Sequence, residues 1–295
     1  MTRRAATREA IAAFGFLAPA YLFYLVFTFI PVCAVLVFAF TGIDRFTWHV
    51  EFVGLDNLRF VLVDARFWKS LANTFLFVSL AVTGTVGAGL ILAVLLNRRL
   101  PGPILYLLRL AYFLPVLIAT ALVSLVWKFI YSTDLGALNY YVQASGLPKV
   151  GWLTDRHVAM LSIVIMDVWK HFGFFMVILL AALQSVPRGL IEAAALDGAR
   201  PLRVFLSVQL PVILPVLLFC ATYATITGLQ VFESIRILTA GGPGDATNSM
   251  VMYMFEQTFG AQDVGAGSAS ALVLLLVIVA VTIVQLRASR HLARE

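Results

Sequence analysis

From Ile11 to Ile43 the chain runs without one charged residue, and five further stretches repeat the pattern. Ser70–Asn97, Leu110–Trp127, Val212–Val231 and Gly267–Leu286 are uncharged, and Val158–Leu183 is apolar apart from Asp167, Lys170 and His171. About 20 mostly apolar residues in helical form cross a bilayer core. Inside that core only structures that satisfy their own backbone hydrogen bonds survive. The runs therefore predict an all-α, polytopic membrane protein with six transmembrane helices. Composition agrees: 61% of the 295 residues are hydrophobic and 12% charged, against roughly half and a quarter in soluble domains. The net charge of +6 lies in short clusters beside the apolar runs, with no basic stripe, so no nucleic acid is expected as a partner.

Those clusters orient the chain. With the N-terminus inside, the cytoplasmic segments hold Arg3, Arg4, Arg8, Arg98, Arg99, Arg109, Arg188, Arg200, Arg203, Arg287, Arg290 and Arg294. Arg45, Arg59, Arg66, Lys69, Lys128, Lys149, Arg156 and Arg236 are spread over longer external loops. The density difference puts both termini in the cytoplasm. The first run is far longer than a signal-peptide core of ~7–15 residues and reads as an uncleaved helix. Gly84 and Ala88 offer a small-xxx-small pair for close helix approach.

Catalytic chemistry is hard to place in this sequence. There is no GxxxxGK[ST] phosphate loop and no HExxH pair, and His49, His157, His171 and His291 are scattered. Cys33 and Cys220 lie inside apolar runs without metal-ligand or redox spacing. "GGPGD" (241–245) does not join a strand to a helix and reads as an external turn. No enzyme activity, metal or cofactor is expected on this chain.

One polar stretch interrupts the apolar pattern: "VPRGLIEAAALDGARPLRVFLSVQLPVILP", residues 186–215, between the fourth and fifth spans and on the cytoplasmic side. Pro187 is placed to open a short helix. Glu192, Ala193, Ala194, Ala195 and Leu196 continue it, and Gly198 is a natural stop. Pro201 restarts a helix, and Pro211 and Pro215 mark the entry to span five. Ile191, Ala194 and Ala195 can fill a partner's groove, with Glu192 and Asp197 beside them.

This stretch resembles the EAA loop of permease subunits of binding-protein-dependent ABC importers. Glu192-Ala193-Ala194, three residues, Gly198, nine residues, Val208, one residue, then Leu210-Pro211 match its spacing, with valine in place of isoleucine. "FVGLDNLRFVL" (52–62), "NTFLFV" (73–78) and "LTAGGPGDATNS" (238–249) extend the resemblance to the carbohydrate branch, and to its first, maltose/glycerol-phosphate-type permease subunit. The resemblance implies a cytoplasmic coupling helix docking on a separate ABC ATPase dimer, which would bind the ATP and Mg. Glu192 would be its polar anchor and Gly198 its turn. It also implies a second, homologous permease as heterodimer partner and an extracytoplasmic solute-binding protein. The localisation would be the inner membrane, in contact with lipid. The parts would be an N-terminal tail, first helix and external loop (1–69), a five-helix core (70–287) with the EAA loop at 187–211, and a cytoplasmic tail (288–295). The solute would be a sugar or related polyol or sugar phosphate, moved by alternating access.

Within span four, Asp167, Lys170 and His171 share one helical face with Phe174. Ionisable groups in hydrocarbon are costly, about 2.5–3.5 kcal/mol for Asp or Lys on insertion scales. Either Asp167 and Lys170 neutralise each other one turn apart, or the three line a solute path. Trp169 offers a flat face for a sugar ring, but from about 200° around the helix. At the end of span five Thr227, Gln230 and Ser234 fall on one face. They either line the path, as the resemblance implies, or bond back to helix carbonyls. Glu233 and Arg236 are expected at the outer surface. Two rival readings remain: a secondary active solute transporter, which would normally show internal halves, and a membrane-embedded enzyme, whose acid, base and nucleophile are not apparent.

Overall fold

The computed structural model describes residues 3–43, 49–98 and 101–292. Arg45, Arg99 and Arg294, which contribute to the orientation argument, lie outside the described residues. The chain packs as two units, 1–64 with 254–275, and 65–253 with 276–295.

In the first unit, α1 (Arg3–Tyr24), a π-helical turn (Leu25–Phe29) and α2 (Ile30–Phe38) make one long helical rod. Its apolar side chains are exposed from residue 13 to 33, as expected of a helix facing lipid. The π turn ends two residues before Pro31. Proline has no N–H for the carbonyl one turn back and its ring crowds that carbonyl; a widened turn relieves both defects. The end of the long uncharged run is not helix. Thr41–Ile43 (β1) pairs antiparallel with Val50–Phe52 (β2), Gly42 opposite Glu51. Asn57, in α3 (Asp56–Val63), ties this corner by donating to the carbonyls of Ala39 (3.2 Å) and Thr41 (2.9 Å).

The second unit is built on α4 (Ala65–Leu96) and α8 (Ala159–Gln184). At 1.5 Å per residue α4 is about 48 Å long, more than a hydrocarbon core of about 30 Å, so it extends past the expected start at Ser70 and carries Arg66 and Lys69. The two helices meet at glycines. A Cβ at Gly84 would stand 2.6 Å from Val168 Cγ2, and one at Gly89 would stand 3.0 Å from the Phe172 carbonyl. Gly89 adds a close approach that the Gly84/Ala88 pair did not include. Lipid supplies little hydrophobic drive between helices, so such small-residue contacts carry the packing.

The third expected span is not a single helix. α5 (Gly102–Leu117) and α6 (Thr120–Ile130) meet at 97°. Ile118 and Ala119 between them are extended, and Pro115 has already weakened the last turn of α5. Among the described residues, five helices are long and apolar enough to cross a membrane, and the bent pair makes six if it counts as one span.

A short α7 (Ala137–Ala144) precedes α8. After α8 come α9 (Arg188–Leu196) and α10 (Pro201–Val204), a π turn (Phe205–Gln209), and α11 (Leu210–Leu229). The last three are continuous, so span five begins about ten residues before the expected Val212, and Pro211 and Pro215 lie inside it. Again the π turn ends two residues before a proline, Pro211. α12 (Glu233–Leu238), α13 (Met250–Phe255), a π turn (Glu256–Gly260) and α14 (Val264–Leu292) complete the chain. α14 runs helical through the expected C-terminal tail as far as Leu292.

Candidate functional site

A cavity of about 570 Å³ opens among α4, the α5–α6 bend, α8, α11 and α12, a size ordinary for small-molecule sites. Asp167, Lys170, His171 and Phe174 all reach it from α8, as a stripe at helical spacing should. Trp169 does not. It points away, 41% exposed, with its ring edge-on to Trp127 at 5.6 Å between centroids.

The charged groups pair differently from the expected Asp167–Lys170 neutralisation. His171 Nδ1 lies 3.2 Å from Asp167 Oδ1 and 3.0 Å from the Asp167 carbonyl, so an Nδ1–H donates to both. No Asp167–Lys170 ion pair within 4.0 Å is found among the described residues. The Lys170 side chain turns to the bend instead, its Nζ 3.5 Å from the carbonyl oxygen of Val116 in the last turn of α5. A helix C-terminus carries partial negative charge and unsatisfied carbonyls, which favour a cation there. Lys170 is 4% exposed.

Thr227, Gln230 and Ser234 also line the cavity, though not as one helical face. α11 stops at Leu229, Gln230 caps it, and Ser234 belongs to α12. The Thr227 hydroxyl donates back to the carbonyls of Tyr223 (3.0 Å) and Ala224 (3.1 Å) while its side chain stays in the wall. Glu233, expected at the outer surface beside Arg236, is exposed but borders the same cavity. Sequence reading missed Thr120 and the Val116 carbonyl, because it drew the third span straight; Pro115 was the available signal. Tyr223 and Phe175 were also missed. Their rings pack at 6.4 Å in the cavity wall, and nothing in their spacing separates them from ordinary span aromatics.

The predicted EAA stretch forms a separate surface feature. Pro187 stands at the N-cap of α9 and Asp197 at its C-cap. Gly198 follows with φ +77°, its N–H donating to Ala195 O and that of Ala199 to Ala194 O, both at 3.0 Å. This paired arrangement closes the helix with a left-handed residue that glycine adopts without strain. Glu192, Ala193, Asp197 and Gly198 are exposed, and Ala194 and Leu210 are half-buried. Pro211 is exposed inside the helix that leads to the cavity. The outward apolar side chains are Leu190 (48% exposed) and Leu196 (89%). Ile191, expected to reach a partner, packs inward on the chain's own core.

At the other end of α4 the glycine-rich turn is clamped. Arg66 donates Nε and Nη2 to the two carboxylate oxygens of Asp245 (3.1 and 2.8 Å), and Lys69 donates to the Gly244 carbonyl (2.7 Å). Asn73 donates to the carbonyls of Asp245 (2.8 Å) and Asn248 (3.0 Å), and Thr74 accepts the Met250 N–H (2.9 Å). The Arg66 guanidinium holds the Asp245 carboxyl below its usual range.

The model of the family described as binding-protein-dependent transport system inner membrane component matches residues 85–295. The chain is 34% identical over 290 residues to the trehalose/maltose transport system permease protein MalF of Thermococcus litoralis, covering 98% of this chain and 97% of that one. It is 31% identical over 283 residues to the sulfoquinovosyl glycerol transport system permease protein SmoG of Agrobacterium fabrum, covering 96% and 91%. It aligns with TM-score 0.86 and 20% identity to a chain of the bacterial alginate ABC transporter in complex with an alginate pentasaccharide-bound periplasmic protein, covering 98% of this chain and 97% of that chain. That last likeness is one of fold.

Proposed function

Because the chain belongs to the binding-protein-dependent transport system inner membrane components, we propose that it is the half-pore of an ATP-driven importer that moves a carbohydrate, or a related polyol or sugar phosphate, by alternating access. Relatives along nearly the whole chain are named for trehalose/maltose and sulfoquinovosyl glycerol transport. ATP and Mg belong to a separate ATPase dimer. A second, homologous permease completes the pore, and an extracytoplasmic binding protein delivers the solute. Both termini are cytoplasmic, and residues 70–287 form the translocating core.

The observation that carries this reading is the short helix α9. It stands out from the core with Glu192, Leu190 and Leu196 exposed, and its chain continues through α10 into α11, which walls the cavity. Glu192 and Asp197 are the polar anchors of this joint, Ala193 and Ala194 keep its profile low, Gly198 sets the turn, and Leu210-Pro211 begin the lever into the membrane. Asp167, Lys170, His171, Thr227 and Gln230 form the solute path. Trp169, on the opposite side of α8, is left out of it.

Purification from the native membrane in mild detergent tests the proposal. A second permease and a P-loop ATPase are expected to co-purify, and Glu192→Lys is expected to abolish transport-coupled ATP hydrolysis while the chain still inserts. A chain that emerges alone, with no ATPase after gentle solubilisation, would overturn the reading.

A further inference from the structure

The Lys170 ammonium is buried in the cavity wall, and its nearest carboxylate, Asp167, is engaged by His171. Among the described residues its hydrogen bond is the single long one of 3.5 Å to the Val116 carbonyl, so most of its three-donor capacity is unspent. Thr85, Thr120, Gln230 and Glu233 line the same cavity, yet among the described residues none of these side chains hydrogen-bonds the Lys170 ammonium. While the cavity is open, water can serve those donors. When a solute displaces the water and the site closes, a buried ammonium with no carboxylate in direct contact and its donors unmet is heavily penalised. A solute that places an anionic acceptor against it removes that penalty.

We infer that the transported solute carries an anionic group, a carboxylate, sulfonate or phosphate ester on a carbohydrate frame, and that Lys170 is the residue that reads it. The inference rests on the carbohydrate-importer reading above. Asp167 with its His171 partner, Thr227 and Gln230 are left for the sugar hydroxyls, which both donate and accept. Glu233 also borders the cavity, but it is exposed, so solvent screens its repulsion toward an incoming anion. The Val116 contact links the reader to the α5–α6 bend. A solute anion drawing Lys170 away would free the last carbonyls of α5, and solute arrival would thereby be felt at the bend.

The test uses the complete transporter in proteoliposomes with its binding protein and paired probes: glucuronate against glucose, glucose 6-phosphate against glucose, and an oligouronate against maltose. Uptake and stimulated ATP hydrolysis are expected for the charged member of at least one pair, with the neutral member weaker by about tenfold or more, the scale of one hydrogen bond to a charged group. Lys170→Met should collapse that ratio and Lys170→Arg should largely keep it. Transport of neutral sugars in preference to charged ones overturns the inference and leaves the importer reading standing. So does a charged-over-neutral ratio that Lys170→Met does not change. Failure of every carbohydrate, charged or neutral, overturns the importer reading itself. Should the methionine variant fail to assemble, the wild-type ratios still decide the solute class and Lys170→Gln replaces it for the residue.

Discussion

At Gly173 an added Cβ would fall on the carbonyl oxygen of Tyr112, so α5 and α8 approach at this point only because the side chain is a hydrogen atom. Relief would require moving backbone, which a packed helix pair resists. Gly173→Ala is expected to lower stability by about 1–3 kcal/mol, read as a fall in the unfolding temperature of the detergent-solubilised chain. Gly87→Ala, where no atom lies within 4 Å, should be neutral or slightly stabilising, and equal effects at the two positions would contradict the packing argument. A second residue-scale case is Asp245. Its carboxyl is held below the ordinary value by the Arg66 hydrogen bonds, so the stabilisation is fully present above the ordinary carboxylate pKa of about 3.9. It is lost as pH falls through the lower, folded-state value. Both side chains are a third or more exposed, which limits the pair to about 1 kcal/mol or less. Asp245→Asn should therefore unfold at a lower temperature than wild type at pH 6. The gap should begin to narrow as pH falls below the ordinary value of about 3.9 and close below the folded-state value, and a gap that does not change on acidification would assign the effect to something other than the charge.

At the scale of elements, both prolines that follow π turns, Pro31 and Pro211, show how a membrane helix keeps its course past a missing donor. The turn widens just before the proline instead of the helix ending, which is why the sequence reading, taking proline as a boundary, started span five too late. Proline shortage of donors acts differently at Pro115, where α5 does end soon after and the chain bends. α9 illustrates the opposite kind of legibility. Proline before it and glycine after it were visible signals, because its limits are set by local backbone chemistry. Gly198 has no neighbour within 4 Å of a built Cβ, so its requirement is conformational alone. Gly198→Val should cost about 1–2 kcal/mol at the left-handed position, fray the end of α9 and depress stimulated ATP hydrolysis of the assembled transporter. Gly198→Asn, tolerant of that conformation, should retain most of it. Equal activities for valine and asparagine would remove the turn from the coupling argument.

At the scale of the whole molecule, segments that the sequence presents as separate motifs turn out to be one piece of structure. Asn73, which opens "NTFLFV", helps Arg66 and Lys69 hold "LTAGGPGDATNS", and Thr74 bonds Met250 just after it, through bonds that span 172 to 176 positions from this pair. The six apolar runs and the all-α class were readable from sequence because lipid imposes a local rule: enough consecutive apolar residues, with every backbone donor satisfied inside the helix. The EAA stretch was readable for a similar reason, as caps and turns depend on neighbours in the chain. The tertiary structure alone decided the 97° bend at Ile118–Ala119, the partnering of Asp167 with His171, the turn of Lys170 toward Val116, and the exclusion of Trp169 from the cavity. Each of these depends on which helix lies opposite, and no spacing within a single segment encodes the position of another.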